Sequence, residues 1–340
     1  MGEIRAGLSP SEPAVEVGPG EAAAIMTGAP APPGADAVVM VEYTTPRGDH
    51  VEITRGVDAG ANIVPVGAEA RRGELLLVPG QRLDHAALAI AASVGRTHLL
   101  VYAKPRIAIL ATGDELVDIA VPPGLSQIRN SNTYSLAAQT QAAGGEPVLL
   151  PIAPDEPQRL RELIIDGLDA DLLLLAGGVS MGKYDLVEQV LAELGAEFLF
   201  TGARIQPGQP IVFGQCGAGT PAREAAATWK YFFGLPGNPV STMVTFELFA
   251  RPVLEALAGM TPRRLLFLHA KLKTEIKTKT GLKRFLPGIL SGEFEHAEVE
   301  LLRWQGSADI AAAARANCYV VIPPDRERIA AGEWVAVLMR

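Results

Sequence analysis

Across residues 105–259 short apolar runs alternate with stretches of helical period. Arg106 to Ala111, Pro147 to Ile152 and Asp171 to Ala176 read as strands, and the continuous apolar run Asp171 to Leu175, too short for a helix, as one buried on both faces. Helical periodicity follows each: Ser131-Asn132 opens a helix to Ala143 that stops at Gly144-Gly145. Asp155 precedes a helix carrying Leu160, Leu163 and Ile164, and Asp185 opens one through Leu191 and Leu194. Ile211-Val212-Phe213 and Trp229 to Phe233 predict further strands, with a hairpin tip over 216–228. Asn238-Pro239 starts a long helix, as N-cap and first helical residue. Alternation of this kind predicts a doubly wound, mostly parallel α/β domain.

The flanks differ. Residues 1–79 carry short runs between turn residues, predicting strands at Ala37–Val41, His50–Ile53 and Glu74–Val78 in a β-rich domain. Residues 80–104 read as a connector: a helix capped by Asp84 and stopped at Gly95, then a strand at Leu99–Tyr102. In residues 260–340, runs at Leu265–Leu272, Phe285–Leu290, Ala297–Trp304, Cys318–Ile322 and Trp334–Leu338 predict a small β-barrel or sandwich.

The candidate chemistry gathers at the strand ends. Gly177-Gly178-Val179-Ser180-Met181-Gly182 joins a buried strand to a helix start. It reads either as a tight turn or as an anion cradle of outward-facing amides. It is neither a dinucleotide fingerprint nor a Walker loop, since no Lys-Ser or Lys-Thr closes it. Asp114 and Glu115 follow the first strand, Asp155 the second and Asp185 the third. In an open α/β sheet these ends form the ligand crevice, where acids suit Mg2+ bridging an anionic substrate. Each acid also has a structural reading: Asp155 as a cap, Asp185 with Glu188 as a capping box, Asp114-Glu115 as a solvated turn. Thr27, in Ile25-Met26-Thr27-Gly28-Ala29-Pro30, reads as a turn hydroxyl. His50, His85, His98, His269 and His296 all lie outside the α/β stretch, and no G-x-S-x-G elbow surrounds Ser180, so a histidine-assisted hydrolase is not expected.

A net charge of −8 argues against general nucleic-acid or acidic-membrane binding. The two cysteines, Cys216 and Cys318, are far apart and in no ligand spacing. With no membrane-length apolar stretch and no leader-like opening, a reduced cytoplasmic protein is expected.

The ordered set Thr112-Gly113-Asp114-Glu115-Leu116, Ser131-Asn132, Gly177 to Gly182 and Leu235-Pro236-Gly237-Asn238-Pro239-Val240-Ser241 resembles molybdopterin molybdenumtransferase, the family of bacterial MoeA and the gephyrin E domain. Ile25–Pro30 and Asn317-Cys318-Tyr319 match the same family outside the α/β domain, so the resemblance spans nearly the whole chain. It implies an α/β multidomain protein with a β-rich N-terminal domain and a C-terminal small β-barrel. It implies insertion of molybdate into adenylylated molybdopterin with release of AMP, using Mg2+. It also implies an upstream molybdopterin adenylyltransferase, and a homodimer in which Thr27 of one subunit faces the α/β cleft of the other. By the same resemblance Glu115, Asp155, Asp185 and Thr27 are catalytic, and Asp114, Glu115 and Asp185 are metal ligands. Thr112, Gly113, Asp114, Ser131, Asn132, Gly177, Gly178, Val179, Ser180, Met181, Gly182, Pro236, Gly237, Asn238, Pro239 and Ser241 bind the pterin.

There are departures. The family's Ser-Ala-Met-Asp-Gly-Tyr segment, with an aspartate important for activity, is absent from this sequence, which begins just downstream of where it would lie. Gln206-Pro207-Gly208-Gln209-Pro210 stands where the family commonly has Lys-Pro-Gly-Lys-Pro, and Lys183 where many members carry an acid. Arg204 and Lys183 are candidates to restore the lost charge. An adenylyltransferase shares the α/β domain and glycine loop but lacks the flanking β domains. A pterin-binding carrier without activity is the other alternative.

Overall fold

A computed structural model of the chain describes residues 3–4, 16–178, 186–217, 229–261 and 264–340. Residues 1–76 and 77–340 form two compact units.

In the first unit β1 (Thr44–Arg47) pairs antiparallel with β2 (His50–Ile53), and Glu3–Ile4 pairs in parallel with Ala24–Ile25. The Arg55 guanidinium lies 5.0 Å from the centroid of the Tyr43 ring and donates to its hydroxyl at 3.0 Å. The strands predicted at Ala37–Val41 and Glu74–Val78 do not form; Val41–Tyr43 is a single 3-10 turn and Leu75 is exposed. An apolar run becomes a strand only where a neighbouring strand takes up its backbone groups.

The second unit opens with α1 (His85–Ser93), which Asp84 caps as expected, its carboxylate accepting from Ala87 N–H at 2.9 Å. The strand predicted at Leu99–Tyr102 is absent for the same lack of a partner, and Leu100 is fully exposed.

The central sheet contains β3 (Arg106–Ala111), β4 (Glu146–Leu149), β5 (Leu172–Ala176), β6 (Ala196–Thr201), β7 (Val212–Gly217) and β8 (Trp229–Leu235). Their spatial order is β6-β7-β8-β5-β3-β4. The β8-β5-β3-β4 part is parallel, and β7 and β6 complete it antiparallel. Strand β6 carries Phe198 and Phe200 in an alternating pattern that the apolar-run reading missed, because Leu199 interrupts the polar phase.

Successive residues of β3 and β5 serve opposite faces, as the strand period demands. Ala108, Leu110, Leu173 and Leu175 pack on α3 (Pro157–Gly167) and α4 (Leu186–Glu193) through Leu160, Leu163, Ile164, Val187 and Leu191. Ile107, Ile109, Leu172 and Leu174 pack on α2 (Asn132–Ala143) through Leu136, and on Phe246, Ala250 and Leu254. Helices on both faces explain why these strands are continuously apolar.

The long helix expected after Asn238 is divided: α5 (Pro239–Thr245), a π turn (Phe246–Ala250) and α6 (Arg251–Leu257). Pro252 gives the reason: it lacks an N–H and its ring would press on the carbonyl four residues back, which the wider turn relieves.

The C-terminal strands are β9 (Phe267–Leu272), β10 (Lys283–Ser291), β11 (Glu298–Leu301), β12 (Cys318–Ile322) and β13 (Trp334–Met339). They run in the order β10-β11-β9-β13-β12, and β12 pairs back on β10, closing a five-stranded barrel. The Ala-rich helix α7 (Ile310–Arg315), capped by Asp309, interrupts them and was not legible as an apolar run. Phe285, Tyr319, Val321 and Leu338 of the barrel pack with Val240 and Val244 of α5. Burial raises both thiols, that of Cys318 to about 11. Among the described residues no helix is long and apolar enough to cross a membrane.

Candidate functional site

The carboxyl ends of β3, β5 and β8 are laced together. Thr112 N–H donates to Ala176 O at 3.2 Å, Gly113 N–H to Ala153 O at 3.2 Å, and Gly177 N–H to Leu235 O at 3.1 Å. The turns after these strands therefore meet at one sheet edge, the place where ligands bind in open α/β sheets. Gly177 has φ +101°, and a Cβ built on it would stand 2.7 Å from Thr112 O. Only glycine allows the β3 and β5 ends to approach so closely. A Cβ built on Gly237, from the β8 turn, would stand 3.6 Å from Gly177 Cα, an ordinary contact distance.

The acids differ from their cap readings. Asp155 does not cap α3: the N-cap is Glu156, with no side-chain bond, and Pro157 follows. Asp155 instead takes the Thr112 hydroxyl on Oδ1 at 3.2 Å, while its own N–H donates to Asp114 Oδ1 at 3.0 Å. Thr112 is buried, so its hydroxyl needs that acceptor. The Glu115 carboxylate folds back over Gly113: a Cβ on that glycine would meet Glu115 Oε2 at 2.4 Å. Asp114, Glu115 and Asp155 are exposed and have no ion-pair partner among the described residues. Among the described residues, one oxygen of Asp114, one of Asp155 and both of Glu115 take no hydrogen bond.

The expected Ser131-Asn132 cap is displaced by one residue. Ser131 holds the N-cap position in helical conformation without a side-chain bond. The buried Asn130 does the capping: its Oδ1 accepts from Thr133 N–H at 3.3 Å and its Nδ2 donates to Thr133 Oγ1 at 2.8 Å. The spacing Asn130-x-x-Thr133 was the available signal. Asn132 is thereby free for the site. Its Nδ2 donates to Gly237 O at 2.7 Å, tying α2 to the β8 turn, and its Oδ1 is shielded from solvent with no partner among the described residues. The carbonyl fixes that orientation, since the reverse would set two acceptors face to face.

Pro236 is buried, Gly237 and Asn238 are exposed, and Pro239 occupies the first turn of α5 as expected. Asn238 stands at the N-cap without a side-chain bond, and Ser241 is buried. Thr27, in the first unit, is exposed, and its hydroxyl makes no hydrogen bond among the described residues, so it is not a turn clamp. Val179, Ser180, Met181, Gly182, Lys183 and Asp185 lie outside the described residues. Arg204 donates from Nη2 to Gly281 O at 3.2 Å, and Ile205–Gln206 pairs in parallel with Lys283–Arg284 of β10. Gln206 and Gln209 are exposed.

Mg2+ prefers carboxylate oxygens and is commonly held by one or two of them, with phosphate and water completing the shell. The open oxygens of Asp114 and Glu115 fit that donor chemistry. Among the described residues no group of three metal-capable side chains assembles.

Comparison with known proteins agrees with the fold. The profile described as "Probable molybdopterin binding domain" matches residues 108–256. Those of the MoeA N-terminal region (domain I and II) and C-terminal region (domain IV) match 4–95 and 269–339. A molybdopterin molybdenumtransferase of Nostoc sp. is 33% identical over 99% of this chain and 76% of its own length. That of Bacillus subtilis is 31% identical over 95% and 74%. The solved structure of a molybdopterin biosynthesis MoeA protein from Pyrococcus horikoshii superposes with a TM-score of 0.71 at 29% identity, over 100% of this chain and 80% of that one. With relatives of this identity over nearly its full length, the chain belongs to the molybdopterin molybdenumtransferase family.

Proposed function

We propose that this transferase inserts molybdate into adenylylated molybdopterin and releases AMP, with Mg2+ as its metal. The observation that carries the reading is the meeting of Thr112, Asp155, Gly177 and the Pro236–Asn238 turn at one sheet edge, in a chain of this family. Backbone without side-chain bulk at Gly177, Gly178 and Gly237 suits a flat pterin and its phosphate, and the reading extends the cradle through Val179, Ser180, Met181 and Gly182. The shielded Asn132 Oδ1, without a partner among the described residues, suits a pterin N–H. Asp114 and Glu115, with Asp185, would hold Mg2+, which offsets phosphate charge when bound. Glu115, Asp155 and Asp185 act at the reacting groups, and Thr27 is contributed across a homodimer. Residues 105–259 are assigned to pterin binding, flanked by 1–79, the connector 80–104 and the barrel 260–340.

A cytoplasmic location suits the free thiols of Cys216 and Cys318. The substrate must come from an enzyme that adenylylates molybdopterin.

Incubation with adenylylated molybdopterin, molybdate and Mg2+ tests the reaction. AMP release that needs molybdate and stops on chelation is expected. Light scattering of the same sample should give twice the chain mass of 35.9 kDa. Binding without turnover would make the protein a carrier, and adenylylation of free molybdopterin from ATP an adenylyltransferase.

The glutamines give a second prediction. Molybdate is a dianion, and holding it beside phosphate needs positive charge. Gln206 and Gln209 donate hydrogen bonds but carry none. Gln206→Lys with Gln209→Lys is expected to raise AMP release at low molybdate by about threefold to tenfold, with pterin affinity little changed. Gln206 pairs with the buried Arg284 across the strands, so the added lysine should lower the melting midpoint until an oxyanion is present. Brisk turnover of the unmodified chain at low molybdate would instead assign the charge to residues already present, such as Arg204.

A further inference from the structure

We propose that Thr242 is a positioning residue: its hydroxyl sets the Pro236–Asn238 turn and, through it, the pterin-phosphate cradle. This role rests on the function proposed above. Thr242 lies in the first turn of α5 and is wholly buried. Its Oγ1 is 2.5 Å from Pro236 O and 3.0 Å from Asn238 O, and its N–H donates to Asn238 O at 3.0 Å. Back-bonding to a carbonyl four residues earlier is an ordinary helix habit of threonine. A bond to a carbonyl six residues earlier is not, because Pro236 lies outside the helix. That contact ties the turn to the helix from within.

The remaining carbonyl, Gly237 O, takes Asn132 Nδ2. All three successive carbonyls of the turn are thus held by protein donors, two of them through Thr242. The N–H groups of Gly237 and Asn238, by contrast, donate to no acceptor among the described residues. The clamp keeps the turn's acceptors engaged and leaves its donors for an anionic ligand. Loss of the hydroxyl frees the buried Pro236 carbonyl, and the cheapest repair is rotation of that peptide unit, which re-aims the Gly237 N–H. No charge changes and no ligand contact is removed, so any functional effect must pass through the backbone.

The test compares Thr242→Val, which keeps shape and removes the hydroxyl, with Thr242→Ser, which keeps the hydroxyl. Affinity for adenylylated molybdopterin, AMP release and hydrogen exchange of the segment 235–240 are measured well below the melting midpoint of each protein. Thr242→Val is expected to weaken pterin binding about tenfold, to raise KM more than it lowers kcat, and to speed exchange at Gly237 and Asn238. Thr242→Ser should recover the parent's affinity. A Thr242→Val protein that melts lower yet binds and exchanges like the parent would overturn the role and leave Thr242 a stability residue. If the parent itself neither binds nor turns over the adenylylated pterin, the site reading falls, and the role of Thr242 with it.

Discussion

Gly177→Ala is expected to lower stability by about 2–4 kcal/mol and to abolish most activity. Two costs combine. The residue sits at φ +101°, where an L side chain is strained, and its Cβ would stand 2.7 Å from the Thr112 carbonyl oxygen. That oxygen is backbone, held within the ladder that Thr112 N–H makes to Ala176 O, so it cannot swing aside as a side chain would. Relief requires the β3 and β5 ends to part, which carries Thr112 and Asp155 away from Gly177 and Leu235. Gly237→Ala is the contrast. Gly237 lacks a left-handed φ, and its nearest neighbour would be 3.6 Å away, an ordinary contact. Its melting midpoint should stay near the parent's, so a fall in its pterin affinity reports a ligand lying against that turn. Thermal melting and pterin binding of both variants check this. A Gly177→Ala protein with the parent's stability would show that the strand ends need not be so close.

Much of this arrangement was legible in the sequence because it is dictated locally. Leu172 to Leu175 announced a strand covered on both faces, and the helices packed on either side bear out that reading. The glycine pair at its end located the meeting of the sheet edge, and Asn238-Pro239 located the start of α5. The failures share a cause, which is dependence on a partner distant in sequence. Leu75 and Leu100 lie in apolar runs but found no adjacent strand. Asp155 is spaced like a cap, yet its contacts are with Thr112 and Asp114, some forty residues away. The cap of α2 fell on Asn130 rather than Ser131 because only the buried Asn130 reaches the Thr133 amide. Thr242 carries no motif at all; its role depends on a carbonyl six residues back that only a particular turn brings within reach.

Asp155→Asn is expected to cut molybdate-dependent AMP release by about a hundredfold or more while the melting midpoint barely moves. The structure makes this variant a clean one. The carbonyl oxygen of Asn can still accept the Thr112 hydroxyl, and the bond to Asp114 comes from the backbone N–H, which the substitution leaves in place. Asp155 is not the cap of α3, so no helix start is weakened. The side chain is exposed, so neither form carries a large desolvation cost. What changes is the negative charge beside Asp114. Asp155→Ala separates the two contributions. It removes the acceptor as well, stranding the hydroxyl of the buried Thr112, and should cost about 1–3 kcal/mol of stability besides the activity. Activity lost in both variants with stability lost only in alanine would assign the charge to the reaction and the hydrogen bond to the fold. If Asp155→Asn turns over like the parent, the carboxylate serves only to anchor Thr112, and the acids that matter must be sought at Glu115 and Asp185.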